Sequence, residues 1–126
     1  MRKIQVLLVL SGLLALGLSL VLMLNPQAFF AGQGLTLDAG QALVGRAQGT
    51  LLFGFAILNF SALGAGDGLA LRPVMAGNLA THLAALGVNA FALSSGLANE
   101  SVYGDVGVHV VFGAAFAYFL ARPPAR

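Results

Sequence analysis

Four apolar segments, each close in length to the thickness of a membrane, divide the chain. They cover residues 4–24, 45–63, 73–95 and 105–121. A helix of roughly 20 mostly apolar residues crosses the hydrocarbon core of a bilayer. In lipid, only helices and closed barrels satisfy their own backbone hydrogen bonds. The segments therefore predict four transmembrane helices in one membrane domain, residues 1–126.

The composition agrees with a chain that lies mostly in lipid. Hydrophobic residues make up 59% of the sequence and charged residues 8%, whereas soluble domains carry about 25% charged residues. The absence of cysteine excludes disulfides, thiolate metal sites and thiol catalysis. The few basic residues stand at segment ends rather than in a cluster, so we predict no nucleic-acid partner.

The first segment is interpreted as a retained span and not as a cleaved signal peptide. It follows a basic start, Arg2-Lys3, as a signal peptide would. Its apolar run of about 21 residues is longer than the usual 7–15, and no small-residue cleavage motif follows closely.

The basic residues also predict an orientation. If the chain crosses the membrane four times, Arg46 lies on one side, and the other basic residues lie opposite it: Arg2, Lys3, Arg72, Arg122 and Arg126. Loops rich in Lys and Arg stay in the cytoplasm. We therefore predict an all-α, antiparallel four-helix bundle with both termini cytoplasmic, as a multi-pass protein of a bacterial inner membrane.

Polar residues in the third span share one helical face. Asn78, His82 and Asn89 fall within about 40° of one another at 100° per residue. Polar groups in a span usually hydrogen-bond across helices, at roughly 0.6–2 kcal/mol each. Asn59 of the second span comes out at the depth of Asn78, which predicts an amide–amide pair. We interpret Asn59, Asn78 and His82 as interhelical packing, with a lined cavity as the alternative.

Small residues mark the faces at which helices can approach closely. The second span contains a G-x-x-x-G, Gly45 to Gly49, on the same face as Asn59. Before it, Asp38 and Gln41 have the spacing of a capping box, so that helix should begin ahead of the apolar segment. Two further small-residue faces are available to a partner: Ser11, Ala15 and Ser19 in the first span, and Gly113, Ala117 and Ala121 in the fourth.

A second set of polar residues falls in the outer third of the membrane. We predict that it forms a polar cluster or ligand site, with members Arg46, Gln48, Thr50, Asn89, Asp105 and His109. Asp105 precedes His109 by one helical turn and should present its carboxylate to the imidazole. For Arg46, the alternatives are a structural ion pair or a side chain that reaches the interface.

No catalytic or cofactor motif stands out. Two histidines in different spans raise the possibility of a bis-histidine haem, which needs both ligands at similar depth. Counted from the span ends, His109 lies about 8–9 Å nearer the outer face than His82. We therefore predict no haem, no metal, no other cofactor and no enzymatic activity.

The stretch "GRAQGTLLFG", Gly45 to Gly54, resembles the Arg and nearby glycines that open the second span of small DoxX-like bacterial inner-membrane proteins. Some of those proteins are small subunits linked to quinone-dependent oxidation. The resemblance implies a structural or accessory subunit of a larger membrane complex or homo-oligomer. The alternative is a small membrane protein that binds an apolar ligand, lipid or quinone through the outer cluster.

Overall fold

The computed structural model describes residues 2–65 and 69–122, and all regular structure within them is helical. The α-helices are α1 (Lys3–Leu24), α2 (Pro26–Gly32), α3 (Ala39–Ser61), α4 (Leu71–Ser94) and α5 (Val102–Ala121), and a 3-10 turn, Ala62–Gly64, extends α3. Helices α1, α3, α4 and α5 are long and apolar enough to cross a membrane. The predicted all-α class with four long apolar helices is confirmed. Arg126, used in the orientation argument, lies outside the described residues.

Helix α3 begins well before its apolar segment, as the capping box predicts. The backbone N–H of Gln41 donates to the Asp38 carboxylate at 2.8 Å, and the backbone N–H of Asp38 donates to Gln41 Oε1 at 2.9 Å. These reciprocal bonds satisfy donors that the first turn of a helix otherwise leaves unpaired. The helix therefore starts at Ala39, six residues before the predicted span.

The short helix α2 is not among the predicted elements. Pro26 occupies its first turn, where the missing N–H costs nothing. The Asn25 side chain accepts a hydrogen bond from the backbone N–H of Ala28 at 3.2 Å and caps the helix. Seven residues are too few to show a helical period, which explains why the sequence pattern does not reveal the element.

The long helices form two close pairs, which are joined by a buried apolar cluster of Ile4, Leu8, Ala62, Leu71, Met75 and Phe116. Helix α1 packs along α3 and α4 packs along α5, with a smaller contact between α1 and α5. Of the most apolar 18-residue window in each helix, 33% is buried for α1 and 11% for α5. Helix α1 is thus the most enclosed span, and the outward faces of α4 and α5 are left to lipid or to a partner.

Helices α1 and α3 approach so closely that only glycine fits between them. A Cβ added to Gly49 would lie 2.9 Å from both the Ser19 carbonyl oxygen and the Met23 backbone nitrogen. Ser11, Ala15 and Ser19 are buried. The prediction that this face of α1 serves a partner is wrong, because it is buried inside the protein, with Ser19 against Gly49 of α3 and Ser11 against Asn59 and Asn78.

The small-residue face of α5, which was also predicted to be available to a partner, is only partly buried. Gly113 is buried and packs on the Cβ of His82, at 3.5 Å from its own ideal Cβ position. Ala117 is half-buried and Ala121 is exposed. The face therefore packs inside the protein at Gly113, whereas it stays accessible at Ala121.

We predict that Gly49→Ala destabilises the protein by about 1–3 kcal/mol, because the new methyl group meets backbone atoms that cannot rotate away. Gly54→Ala is the matched control on the same helix, since a Cβ there has no neighbour within 4 Å. The measurement is the unfolding midpoint in a detergent titration. Equal effects of the two substitutions would contradict the close approach.

Candidate functional site

Three buried polar side chains from three helices form a closed hydrogen-bonded ring. Asn78 Nδ2 donates to Asn59 Oδ1 at 2.8 Å. The Ser11 hydroxyl donates to Asn78 Oδ1 at 3.0 Å, and Asn59 Nδ2 donates to the Ser11 hydroxyl at 3.4 Å. The predicted Asn59–Asn78 hydrogen bond is present. Ser11 is an additional member of the ring, although its position in the sequence had predicted a surface available to a partner.

This ring satisfies its members without help from water. Asn78 Nδ2 also donates to the Val74 carbonyl oxygen at 2.9 Å. All three side chains are buried, and none is left with an unpaired atom among the described residues. A satisfied polar ring in a dry interface fixes how helices pack, so its geometry favours the packing interpretation over a ligand site.

The two histidines contact each other directly. His82 Nδ1 and His109 Nδ1 are 2.9 Å apart, so the predicted separation in depth is wrong. The error came from assuming that the ends of α4 and α5 are level. Asn89, five residues before the end of α4, bonds Asp105, which is only three residues into α5. The two imidazole side chains extend toward each other and meet at their Nδ1 atoms.

A chain of polar contacts runs from Asn89 through Asp105 and His109 to His82. Asn89 Nδ2 donates to Asp105 Oδ2 at 2.7 Å, and His109 Nε2 lies 3.4 Å from the same oxygen. A neutral His109 facing a carboxylate carries its proton on Nε2, so its Nδ1 accepts. His82 then donates from Nδ1. The two rings are thereby fixed in opposite tautomers.

His82 ends this chain inside the protein. Its side chain is stacked on Phe112 and Phe116, with ring centroids 5.5 and 6.0 Å away. The residue is 5% exposed, and its Nε2 is the one buried side-chain nitrogen or oxygen without a hydrogen bond in residues 2–65 and 69–122. His82 therefore packs between helices, as predicted, but it also extends the outer polar cluster into the core.

The α3 members of the predicted cluster lie elsewhere. Arg46 donates to the carbonyl oxygens of Met23 and Leu24, at the end of α1. Thr50 bonds the Ala47 carbonyl of its own helix at 2.7 Å, and Gln48 is exposed. Depth alone grouped these residues with His109. Their position around the helix keeps them off the α4–α5 interface, because α3 packs its small-residue face on α1.

Arg46 therefore has a structural role that neither sequence alternative described. The last carbonyl groups of a helix have no partner within it, and they carry the negative end of the helix dipole. A guanidinium placed on them satisfies both needs. Arg46 thus fastens the start of α3 to the end of α1, on the side where α2 begins.

An open cleft of about 640 Å³ lies between α1, α2 and α5. Its wall is mainly apolar, with Leu13, Leu14 and Leu18 on α1 and Phe29 on α2. Its polar lining side chains are Gln33, Ser101, Asp105 and His109, and no Lys or Arg lines it. The cleft therefore joins the outer end of the polar chain to an apolar space of ligand size.

The described residues contain no group of three His, Asp or Glu placed to hold a metal ion. The His82 and His109 Nδ1 atoms face each other at hydrogen-bond distance, which leaves no space for an iron between them.

No family model, curated protein or solved structure matches this chain.

We predict that Asn59→Leu and Asn78→Leu are strongly non-additive. Either change alone leaves a partner amide unpaired in a dry interface and costs about 1–3 kcal/mol. Together they leave only Ser11, whose hydroxyl can bond a carbonyl of its own helix. The double variant should recover much of the loss, by an interaction energy of about 0.5–3 kcal/mol, as measured by detergent unfolding.

The control for this cycle is Thr81→Val, which removes an exposed hydroxyl bonded within α4. It should change stability little and add simply to Asn59→Leu. If the two asparagine substitutions also add simply, the amides are not coupled.

A separate prediction concerns the histidine tautomers. In ¹⁵N-histidine NMR spectra recorded where both rings are neutral, His109 should carry its proton on Nε2 and His82 on Nδ1, with a scalar coupling between the two Nδ1 nuclei. Asn89→Leu leaves both rings in place and should retain this coupling. Two rings in the same tautomer, or no coupling at all, would contradict the chain.

Proposed function

We propose that this protein is a membrane protein that binds an apolar molecule with one polar group in the cleft between α1, α2 and α5. One observation carries the proposal: the Asp105–His109 pair lines a mainly apolar cleft of about 640 Å³. Ligand sites are typically 300–1,000 Å³, mainly apolar, with a few converging polar groups. Ionisable residues within a span usually mark such a site.

The proposed architecture is an antiparallel four-helix bundle with both termini in the cytoplasm of a bacterium. Contacts between helix ends support it. Gln5 at the start of α1 donates to the Leu63 carbonyl just after α3, at 3.2 Å. Arg72 at the start of α4 donates to the Arg122 carbonyl after α5, at 3.3 Å. The resulting end carries Arg2, Lys3, Arg72 and Arg122, which the positive-inside rule assigns to the cytoplasm.

With this orientation the cleft opens on the outer side of the inner membrane. The Ser101 hydroxyl donates to the Gly32 carbonyl of α2 at 2.9 Å. The connection between α4 and α5 is thus tied to the connection between α1 and α3, and together they form the outer end of the cleft. A ligand could enter from the outer leaflet without crossing the bundle.

The proposal predicts that a larger side chain in the cleft displaces the ligand. Gly17 and Gly104 line it on opposite walls, and an added Cβ on either has no neighbour within 4 Å. Gly17→Leu and Gly104→Leu should each remove molecules that co-purify with the wild-type protein from native membranes, as measured by native mass spectrometry. Gly54→Leu, in open space outside the cleft, is the control.

Unchanged co-purifying molecules in both cleft variants, or an empty wild-type protein when extracted gently from native membranes, would overturn this function.

A second candidate is the structural or accessory subunit of a membrane assembly, as the resemblance of Gly45 to Gly54 implies. The observation that favours it is the low burial of α4 and α5, with 17% and 11% of their apolar windows enclosed. Large apolar side chains on these helices are exposed, including Val88, Phe91 and Val111. A stable larger complex after mild extraction supports this role, and a monodisperse monomer that keeps its ligand argues against it.

A further inference from the structure

The cleft is lined by one carboxylate, that of Asp105, and by no Lys or Arg. The Asp105 carboxylate accepts from the Asn89 amide, lies 3.4 Å from His109 Nε2 and belongs to the first turn of α5. Arg46 of α3 donates to the carbonyls at the end of α1 and does not line the cleft.

One oxygen of this carboxylate is open to a ligand. Oδ2 accepts from Asn89 and faces His109, whereas no donor in the described part of the chain bonds Oδ1. The Asp105 side chain is 33% exposed and lines the cleft. A molecule in the cleft therefore meets a carboxylate oxygen with unused acceptor capacity.

We propose, resting on the proposed function, that the ligand of this cleft is an apolar cation, of the quaternary ammonium or phosphonium class. A cation in the apolar space meets this carboxylate without competition from a Lys or Arg of the cleft wall. In low-dielectric surroundings an unbalanced charge attracts its opposite strongly, and charged groups inside membranes generally occur in pairs.

The aromatic lining of the cleft fits the same ligand. Phe29 of α2 lines it and is held edge-to-face against Phe30, with centroids 5.2 Å apart. Quaternary cations bind favourably over aromatic faces. A carboxylate, an aromatic ring and aliphatic side chains are the three kinds of group that recognise a cation with an apolar body.

Other membrane-soluble molecules fit less well. Fatty-acid carboxylates and phospholipid phosphates would place a second negative charge beside Asp105. A quinone head group accepts hydrogen bonds, but the His109 nitrogens are engaged with Asp105 and His82, and the Ser101 hydroxyl donates to Gly32. Only the Gln33 amide remains as a side-chain donor in the lining, so an acceptor ligand finds little to bind.

The test uses two probes of nearly the same shape and opposite charge, tetraphenylphosphonium and tetraphenylborate. Binding is measured by equilibrium dialysis with the full chain in lipid nanodiscs, after subtraction of empty nanodiscs. The phosphonium should bind in excess of the borate. Asp105→Asn keeps the side-chain shape and should weaken phosphonium binding at least about tenfold, a change of about 1.4 kcal/mol.

Glu100→Gln is the control, since it removes an exposed carboxylate of the same outer region that does not line the cleft. It should leave phosphonium affinity within about twofold, a change of about 0.4 kcal/mol. Equal binding of the two probes, no phosphonium binding, or an unchanged affinity in Asp105→Asn overturns the cation assignment.

The same assay separates this inference from the proposed function. If Gly104→Leu removes a neutral or anionic molecule that co-purifies with the protein, the cleft is a ligand site and the cation assignment alone fails. If Gly104→Leu leaves phosphonium binding intact, the cation binds elsewhere and the assignment to this cleft is wrong.

Discussion

A polar group buried in a membrane must find its partner within the protein, and the ring of Ser11, Asn59 and Asn78 meets that requirement for three helices at once. Each of the three side chains would be costly on its own in an apolar span. Together they fix the relative height of α1, α3 and α4. This junction links the α1–α3 pair to the α4–α5 pair, together with the buried apolar cluster that includes Leu8, Met75 and Phe116.

Close backbone approach supports the junction from one side. Gly49 lies against the backbone of α1 near Ser19, and Gly12 of α1 lies against the Phe60 ring of α3. Two helices brought this close gain van der Waals contact, which is the main attraction between helices in lipid. The α1–α3 pair is therefore tightly packed, and the leucines of α1 that line the cleft lie on a different face of that helix.

The α4–α5 pair is held differently, by polar contacts near the outer end. The chain from Asn89 to His82 joins these helices through a carboxylate and two imidazoles. Since Asp105 and His109 also line the cleft, the contacts that hold the pair together orient the groups a ligand would meet. Structure and proposed binding therefore depend on the same residues here, whereas the closed geometry of the Ser11 ring favours a packing role.

The lengths of the apolar segments and the helical spacing of their polar residues account for most of what could be predicted from the sequence. Four apolar runs predicted the long helices, and matched depth predicted the Asn59–Asn78 bond. Position around a helix and the heights of helix ends are set by tertiary packing, which no single segment encodes. Arg46, Gln48 and Thr50 were grouped with His109 for that reason, and the His82–His109 contact was missed.

The proposed function requires that the chain crosses the membrane with its cleft facing outward. Labelling of single cysteines tests this directly, because the sequence contains no cysteine. Glu100→Cys and Leu69→Cys place one thiol at an exposed position at each end. In intact cells, a membrane-impermeant maleimide should label the first variant, and the second only after the membrane is disrupted. The reverse pattern, or labelling of both in intact cells, would contradict the orientation and the outer entrance to the cleft.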